Sequence, residues 1–249
     1  LEFHVGFSMI KSFKIVLTLA ATTVLLSACS TSGTGDASDP IEGVNRSIFK
    51  FNDVVDTAVL KPVAEGYRAG VPKPARIGVR NFLRNVKTPT LVANNLLQGD
   101  VSSAGNDMTR FMANTFFGLG GLVDVAGAEG VKYKEEDFGQ TLGTWGVGNG
   151  PYVVLPLLGP STVRDTTGLI VDAYADPLNR WLSNTDREAW YYGRVALAGI
   201  DKRESLLDVL GDLKKNSIDY YAATKSAYLQ NRSALVSNNG NGTNVPDMP

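Results

Sequence analysis

The sequence has one histidine and one cysteine, and both lie near its N-terminal end, as His4 and Cys29. Histidine is the usual general base for an activated serine or cysteine and the commonest zinc ligand. A chain processed beyond His4 therefore lacks the ordinary starting point of hydrolase and metalloprotease chemistry. No Gly-x-Gly-x-x-Gly and no Gly-Lys-Ser/Thr loop occurs. Gly146-Val147-Gly148-Asn149-Gly150 runs straight into Pro151, leaving no helix N-terminus behind it to hold phosphate. An excess of charge of one sign is also missing, with 24 Lys+Arg against 25 Asp+Glu, or 22 against 24 without Glu2, Lys11 and Lys14. No basic tail points to nucleic acid. These absences predict a protein that is not an enzyme, with no catalytic residues, no metal and no cofactor.

A long hydrophobic run is absent too. Ile15 to Leu26 is too short for a bilayer core of about 30 Å but fits the apolar centre of a signal peptide, preceded by Lys11 and Lys14. Met9 is the natural start, so residues 1–8 read as upstream or vector sequence and 9–28 as the signal. Leu26-Ser27-Ala28-Cys29 resembles the lipobox cut by bacterial lipoprotein signal peptidase. Cys29 has no disulfide partner, and thioether lipidation explains a single cysteine in an oxidising compartment. Several acyl chains on Cys29 give stable anchoring, since one chain binds marginally and each buried methylene adds about 0.8 kcal/mol. Ser30, rather than aspartate, follows the cysteine, which by the bacterial sorting rule directs the chain to the outer membrane. Residues 29–38 are small and polar and read as a flexible tether.

The remaining residues read as one domain, 39–236, followed by an Asn/Gly-rich tail, 237–249, expected to be disordered. Asp39-Pro40-Ile41-Glu42 has an N-cap, a proline at N1 and a glutamate at N3, and predicts a helix starting there. Its stripe of Ile41, Val44, Ile48, Phe51, Val55 and Val59 faces inward or into lipid. Lys61-Pro62 is expected to end or kink it, and Val71-Pro72 to break the chain again. Ala75–Val86 reads as a third helix, Thr88-Pro89 as the cap of a fourth reaching Leu97, and Val101 onward as a fifth. Gly118-Leu119-Gly120-Gly121 interrupts an apolar stretch from Phe111 to Val125, so two helices with a hinge are expected rather than one membrane span. Tyr152–Leu155 is at best a short strand. Ser161 is expected to cap a helix to Ala175, Thr185-Asp186-Arg187-Glu188 to open one continuing to Leu210, and Ser217–Leu235 to form the last. The class is mainly α, many short amphipathic helices with little or no β.

Several ordered motifs carry a resemblance: Asp39-Pro40-Ile41-Glu42-Gly43-Val44-Asn45-Arg46, Asn94-Asn95-Leu96-Leu97-Gln98-Gly99, Gly118 to Gly127, Asp137-Phe138-Gly139-Gln140-Thr141-Leu142-Gly143, and Gly150-Pro151-Tyr152 with Leu155 to Ser161. Together they resemble the MlaA/VacJ lipoproteins from the lipobox to about Leu210. The resemblance implies a ring of helices around a central amphipathic pore, seated in the inner leaflet of the outer membrane. It implies removal of phospholipid strayed into the outer leaflet and its transfer to a periplasmic carrier, MlaC. A trimeric outer-membrane porin would hold the ring. The residues by themselves also suit a structural or adhesion lipoprotein that moves no lipid, or an envelope hydrolase using Glu135 or Asp165.

A pore for phospholipid needs polar groups for the head and apolar wall for the chains. Lys50, Phe51 and Asn52 are expected to gate it, although stripe position alone reads Phe51 as core. Arg194, one turn after Trp190 and Tyr191 and near the pore by the resemblance, offers a guanidinium for lipid phosphate or else an internal salt bridge. Arg46, Arg80 and Arg164 are weaker candidates. Gly118, Gly120 and Gly121 suit either a hinge or a tight turn with positive φ. Trp145, Trp181, Trp190, Tyr152, Tyr191 and Tyr192 fit headgroup depth or ordinary packing. Asp165, Asp172 and Asp176, spaced by about one and two helical turns, read as a solvated face.

Overall fold

The structure, a computed structural model, describes residues 38–185 and 187–237. The signal segment, Cys29 and the tether up to residue 37 lie outside the described residues, as does the tail from residue 238. The fold is helical, with one two-stranded sheet among the described residues. No described helix is long and apolar enough to cross a membrane.

The first helix, α1, spans Glu42–Val55 and is capped at Ile41 with no side-chain hydrogen bond. Asp39 does not serve as the cap, because its carboxylate is engaged elsewhere: it accepts from Asn45 Nδ2 at 2.7 Å, Tyr221 Oη at 2.5 Å and Lys225 Nζ at 3.1 Å. Pro62 does not break the chain either. A proline ring collides with the carbonyl four residues back, here Ala58, and that residue sits in a widened π-helical turn, Asp56–Leu60, through which α1 runs on into α2 (Lys61–Gly70). The expected break at Val71-Pro72 is present, with Val71 extended.

Helix α3 runs unbroken from Lys73 to Leu97 and contains Pro89, where a boundary was expected. An internal proline costs about 3 kcal/mol, yet Asn85, Thr88, Thr90, Leu91, Asn94 and Asn95 are all buried around it. Burial of that face outweighs the lost backbone bond. Helix α4 (Val101–Phe116) is capped by Asp100, which accepts from Ser103 N at 2.9 Å, and packs along α3. A one-turn helix, α5 (Val125–Ala128), and α6 (Phe138–Thr144) follow, each capped by an aspartate.

Strands β1 (Tyr152–Leu155) and β2 (Gly159–Thr162) pair antiparallel, Tyr152 opposite Thr162 and Leu155 opposite Gly159. Thr162, not Ser161, caps α7 (Val163–Ala175) by accepting from Asp165 N at 3.1 Å. Helices α6 and α7 cross where Gly168 meets Gly139: a Cβ on Gly168 would stand 2.2 Å from the Gly139 nitrogen. Asp176 caps α8 (Pro177–Asn184). Helix α9 (Glu188–Ser205) starts without a side-chain cap, since the Thr185 hydroxyl turns back to the Trp181 carbonyl at 2.8 Å. It passes straight through Gly199 and stops at Leu206, so Leu207–Asn216 forms a separate α10. The last helix, α11, is Tyr220–Ser237.

Packing closes a circuit. Helix α1 lies against β1, β2 against α11, α11 against α6, α6 against α3, α3 against α9, and α9 against α2, which runs back into α1. The apolar core is small: Tyr152, Val154 and Tyr221, with Ile48, Phe49, Tyr228 and Leu229 around them.

Candidate functional site

Burial in this protein is inverted. Among the described residues twenty polar or charged side chains are buried but only eight hydrophobic ones, while thirty large hydrophobics are exposed. Water-soluble domains bury apolar side chains and pair the rare charge that enters. Here Val44, Phe51 and Val59 of the α1 stripe, Phe82 of α3 and Met108 and Met112 of α4 stand exposed, and the polar residues meet inside.

Four polar clusters fill that interior. In the first, Arg232 of α11 spans two carboxylates. It donates to Asp137 at 2.7 and 3.0 Å and to Asp165 at 3.1 and 2.8 Å, while Tyr228 Oη donates to Asp165 at 2.7 Å and Arg164 adds a bond at 3.0 Å. Burial works against the Asp137 carboxylate, but the bonds and charge of Arg232 overcome it and hold its pKa at about 2. Asp165 is lowered by the same guanidinium against the same burial.

In the second cluster Glu204 and Asp201 of α9 collect arginines from α2 and α3. Arg68 Nε lies 2.9 Å from Glu204, Arg80 lies 3.1 Å from both acids, and Arg76 also bonds Glu204. The third is built from amides. Asn95 donates to Asp107 at 2.8 Å, Asn94 to Asp172 at 3.0 Å and Gln98 to Glu136 at 3.0 Å, while the Thr141 hydroxyl donates to Asn94 at 2.9 Å and the Phe138 N–H to Asp172 at 2.9 Å. No guanidinium reaches these three acids through a described hydrogen bond, and burial raises all of them, Asp107 to about 6. The Asn94-Asn95-x-x-Gln98 and Asp137-to-Thr141 motifs are thus two halves of one seam. In the fourth, Arg110 grips Asp124 at 2.9 Å through both oxygens, and Asn114 donates to Asp124 at 2.9 Å.

The expected site residues fall in separate places. Lys50 is exposed. Phe51 is 53% exposed, so the stripe reading of it as core does not hold. Asn52 reaches the hairpin, donating to the Leu155 carbonyl at 2.9 Å and accepting from Leu157 N at 2.7 Å. Arg194 has the internal salt bridge: its Nη2 lies 2.7 Å from Asp176 Oδ2 and also bonds Asn179. Arg46 pairs with Asp219, Arg80 with Asp201 and Glu204, and Arg164 with Asp165. The reading of Asp165, Asp172 and Asp176 as a solvated face is corrected, since each is bound within the interior network.

Gly118, Gly120 and Gly121 form a tight turn at the end of α4. Gly120 and Gly121 have φ of 72° and 97°, and a Cβ on Gly118 would stand 2.2 Å from the Val123 carbonyl. The turn is rimmed by exposed Phe116, Phe117, Leu119, Leu122 and Val123. Trp145, Trp181, Trp190 and Tyr192 are exposed, whereas Tyr152 is buried. Sequence reasoning missed Arg232 and Glu204, and gave Asp39 as a helix cap rather than as the acceptor shared by Asn45, Tyr221 and Lys225. For Arg232 a signal exists: Tyr221, Lys225, Tyr228 and Arg232 recur at helical spacing on one face of α11, all as bonding groups.

Residues 37–235 match the family described as MlaA lipoprotein. The chain belongs to the MlaA lipoprotein family. It is 42% identical over 230 residues to the intermembrane phospholipid transport system lipoprotein MlaA of Shigella flexneri, covering 89% of this chain and 88% of that protein. The Haemophilus influenzae protein of the same name is 34% identical, with 88% of each chain covered. A solved structure concerned with the maintenance of bacterial outer membrane lipid asymmetry superposes with a TM-score of 0.69 at 40% identity, covering 80% of this chain and 99% of that one. The mainly helical fold expected of an MlaA lipoprotein is therefore the fold of this chain.

Proposed function

We propose that the chain is an outer-membrane lipoprotein channel that removes mislocalised phospholipid from the outer leaflet and passes it to a periplasmic carrier, so maintaining lipid asymmetry. The observation that carries this is the inverted burial: thirty exposed large hydrophobics around twenty buried polar residues, in a chain of the MlaA family. An apolar exterior suits a body seated among acyl chains. A polar interior gives a phospholipid head group a route that avoids the hydrocarbon. The closed circuit of packed helices supports a ring, and a pore through it is part of the proposal.

In this reading Cys29 carries the lipid anchor on the periplasmic side of the outer membrane of a Gram-negative envelope. Lys50, Phe51 and Asn52 line the entrance, Lys50 for the phosphate and Phe51 for the chains. Arg194 serves the head group when it exchanges Asp176 for phosphate, so Asp176→Asn and Arg194→Ala should alter transport in opposite directions. Gly118, Gly120 and Gly121 let the apolar turn beyond α4 swing. The partners are phospholipid, a trimeric porin and the periplasmic carrier MlaC. None of the buried acids acts as a catalyst in this scheme.

Deletion and complementation test it. Loss of the gene should raise outer-leaflet phospholipid and detergent sensitivity, and Cys29→Ser should fail to restore the barrier. Unchanged lipid asymmetry in the deletion strain would overturn the assignment. Gly120→Pro should raise outer-leaflet phospholipid if the turn moves.

A further inference from the structure

Ion pairs of similar exposure differ in what surrounds them. Arg46 and Asp219 are 42% and 42% exposed, and the side-chain hydrogen bonds to Asp219 and Glu42 are the leading influences on the arginine, with burial behind them. Lys87 and Glu135 are about as open, at 37% and 51%, with Lys87 Nζ 3.0 Å from Glu135 Oε1. Yet burial is the largest influence on the Lys87 ammonium; it works against the charge, and Glu135 overcomes it and raises the pKa. Glu135 is held at about 2, first by Lys87 and against burial, with the charge of Lys202 adding to the effect. Side chains that are open to solvent and still desolvated stand on a concave wall, with protein around them on several sides.

That wall is shared by neighbours in the closed circuit of packed elements. Lys87 is on α3, Glu135 stands just ahead of α6, and Lys202 is on α9. Glu135 does not depend on Lys87 for its place. Gln140 Nε2 donates to the Glu135 carbonyl at 3.0 Å, Gln98 Nε2 donates to the Glu136 carboxylate at 3.0 Å, and the Arg84 guanidinium lies 4.7 Å from the centre of the Tyr133 ring. The segment is fixed on both sides of Glu135, so its carboxylate is set in advance to take another cation. Lysine, a point charge on a flexible stem, can turn to another acceptor.

A phosphate alone would suit Lys87 and Lys202 but would be repelled by Glu135. A group that carries phosphate and ammonium a short link apart pairs with both members, phosphate with Lys87 and ammonium with Glu135. It replaces their contact and leaves no charge uncompensated, whereas a purely anionic group leaves Glu135 without a cation.

We infer that Lys87 and Glu135 face the space enclosed by the circuit and together select a zwitterionic head group, phosphoethanolamine, over an anionic one. This rests on the channel reading above and adds to it which head group passes most readily.

Phosphatidylethanolamine and phosphatidylglycerol share the phosphate, and only the first has the ammonium. Their dihexanoyl forms, titrated calorimetrically into the full chain in detergent, are the probes. The parent should bind the ethanolamine probe about three-fold more tightly, the contribution of one half-open ion pair. Glu135→Gln should abolish that preference while leaving the glycerol probe bound as before, which also shows that the variant is folded. Glu135→Asp should keep the preference, and Lys87→Met should weaken both probes. Equal affinity of the parent for the two probes overturns the inference, and so does an unchanged ratio in folded Glu135→Gln. In the deletion strain, Glu135→Gln should return outer-leaflet phosphatidylglycerol to the parent level but leave phosphatidylethanolamine raised; both lipids at the parent level would overturn the inference and spare the channel. Normal asymmetry in the deletion strain itself would sink the channel reading and this inference with it.

Discussion

Two buried seams of this protein use carboxylates in opposite ways. Where α11 closes the fold, Asp137 and Asp165 are held by the guanidinium of Arg232. Between α3, α4, α6 and α7, Asp107, Glu136 and Asp172 are held by the side-chain amides of Asn95, Gln98 and Asn94. An arginine compensates the charge it buries, whereas an amide supplies a hydrogen bond and leaves the charge in place. The first pair of acids is accordingly pushed down and the second set pushed up. The lesson is that burial alone does not set a carboxylate's behaviour; the charge of its partner does.

The sharpest way to break this comparison is Arg232→Met. It strips the counter-charge from two buried acids at once and should cost about 3 to 5 kcal/mol in denaturant unfolding at neutral pH. Loss of less than about 1 kcal/mol would mean that the cluster is not the closure it resembles. Next in size is Asn95→Asp, which sets a second carboxylate against Asp107. It should destabilise by about 2 to 3 kcal/mol at pH 7.5 and recover much of that at pH 5.

Asp107 by itself gives the pH signature. Its folded pKa of about 6 lies above the unfolded value near 4, so the native state binds the extra proton and gains stability as pH falls through that window. Asp137 has the opposite sign, because its folded pKa lies below the unfolded one: its contribution is complete above about pH 4 and lost as pH falls towards 2. Asp107→Asn should be more stable than the parent by about 1 to 2 kcal/mol at pH 7.5 and should lack the rise between pH 7 and 5, measured by thermal unfolding. The smallest effect belongs to Arg46→Ala, whose partners Asp219 and Glu42 are about two-fifths exposed. About 0.5 kcal/mol is expected there, a benchmark for what an open ion pair contributes.

Much of the helical layout was legible from the chain. The α4 helix, the break at Val71-Pro72, the short β1 and the stop at Asp176-Pro177 all follow from local signals, and the structure has them. Pro62 and Pro89 misled because a proline's cost is local while its compensation is not: a widened turn absorbs one and a buried helix face outweighs the other. The interior was harder to read. Periodicity finds the apolar stripe of a helix but cannot say what covers it, so the stripe reading puts Phe51 in a core that it does not enter, and Asp165, Asp172 and Asp176 read as a solvated face although each is bound inside. Asp39 failed as a cap because Asn45, Tyr221 and Lys225, the last two more than 180 residues away in sequence, compete for its carboxylate. The motifs pointed to the right residues without saying that they bind one another.

That grip on Asp39 also sets an order of events. A chain made N-terminus first presents Asp39 and Asn45 at the start and must wait for Tyr221 and Lys225 at the end before they are joined. Contacts of such long sequence separation form slowly. Until they do, the exposed apolar residues of α1 to α9 face water with no completed body to arrange them. Closure of the fold is thus timed by its final helix, and an escort protein would have its greatest effect in the interval before α11 is made.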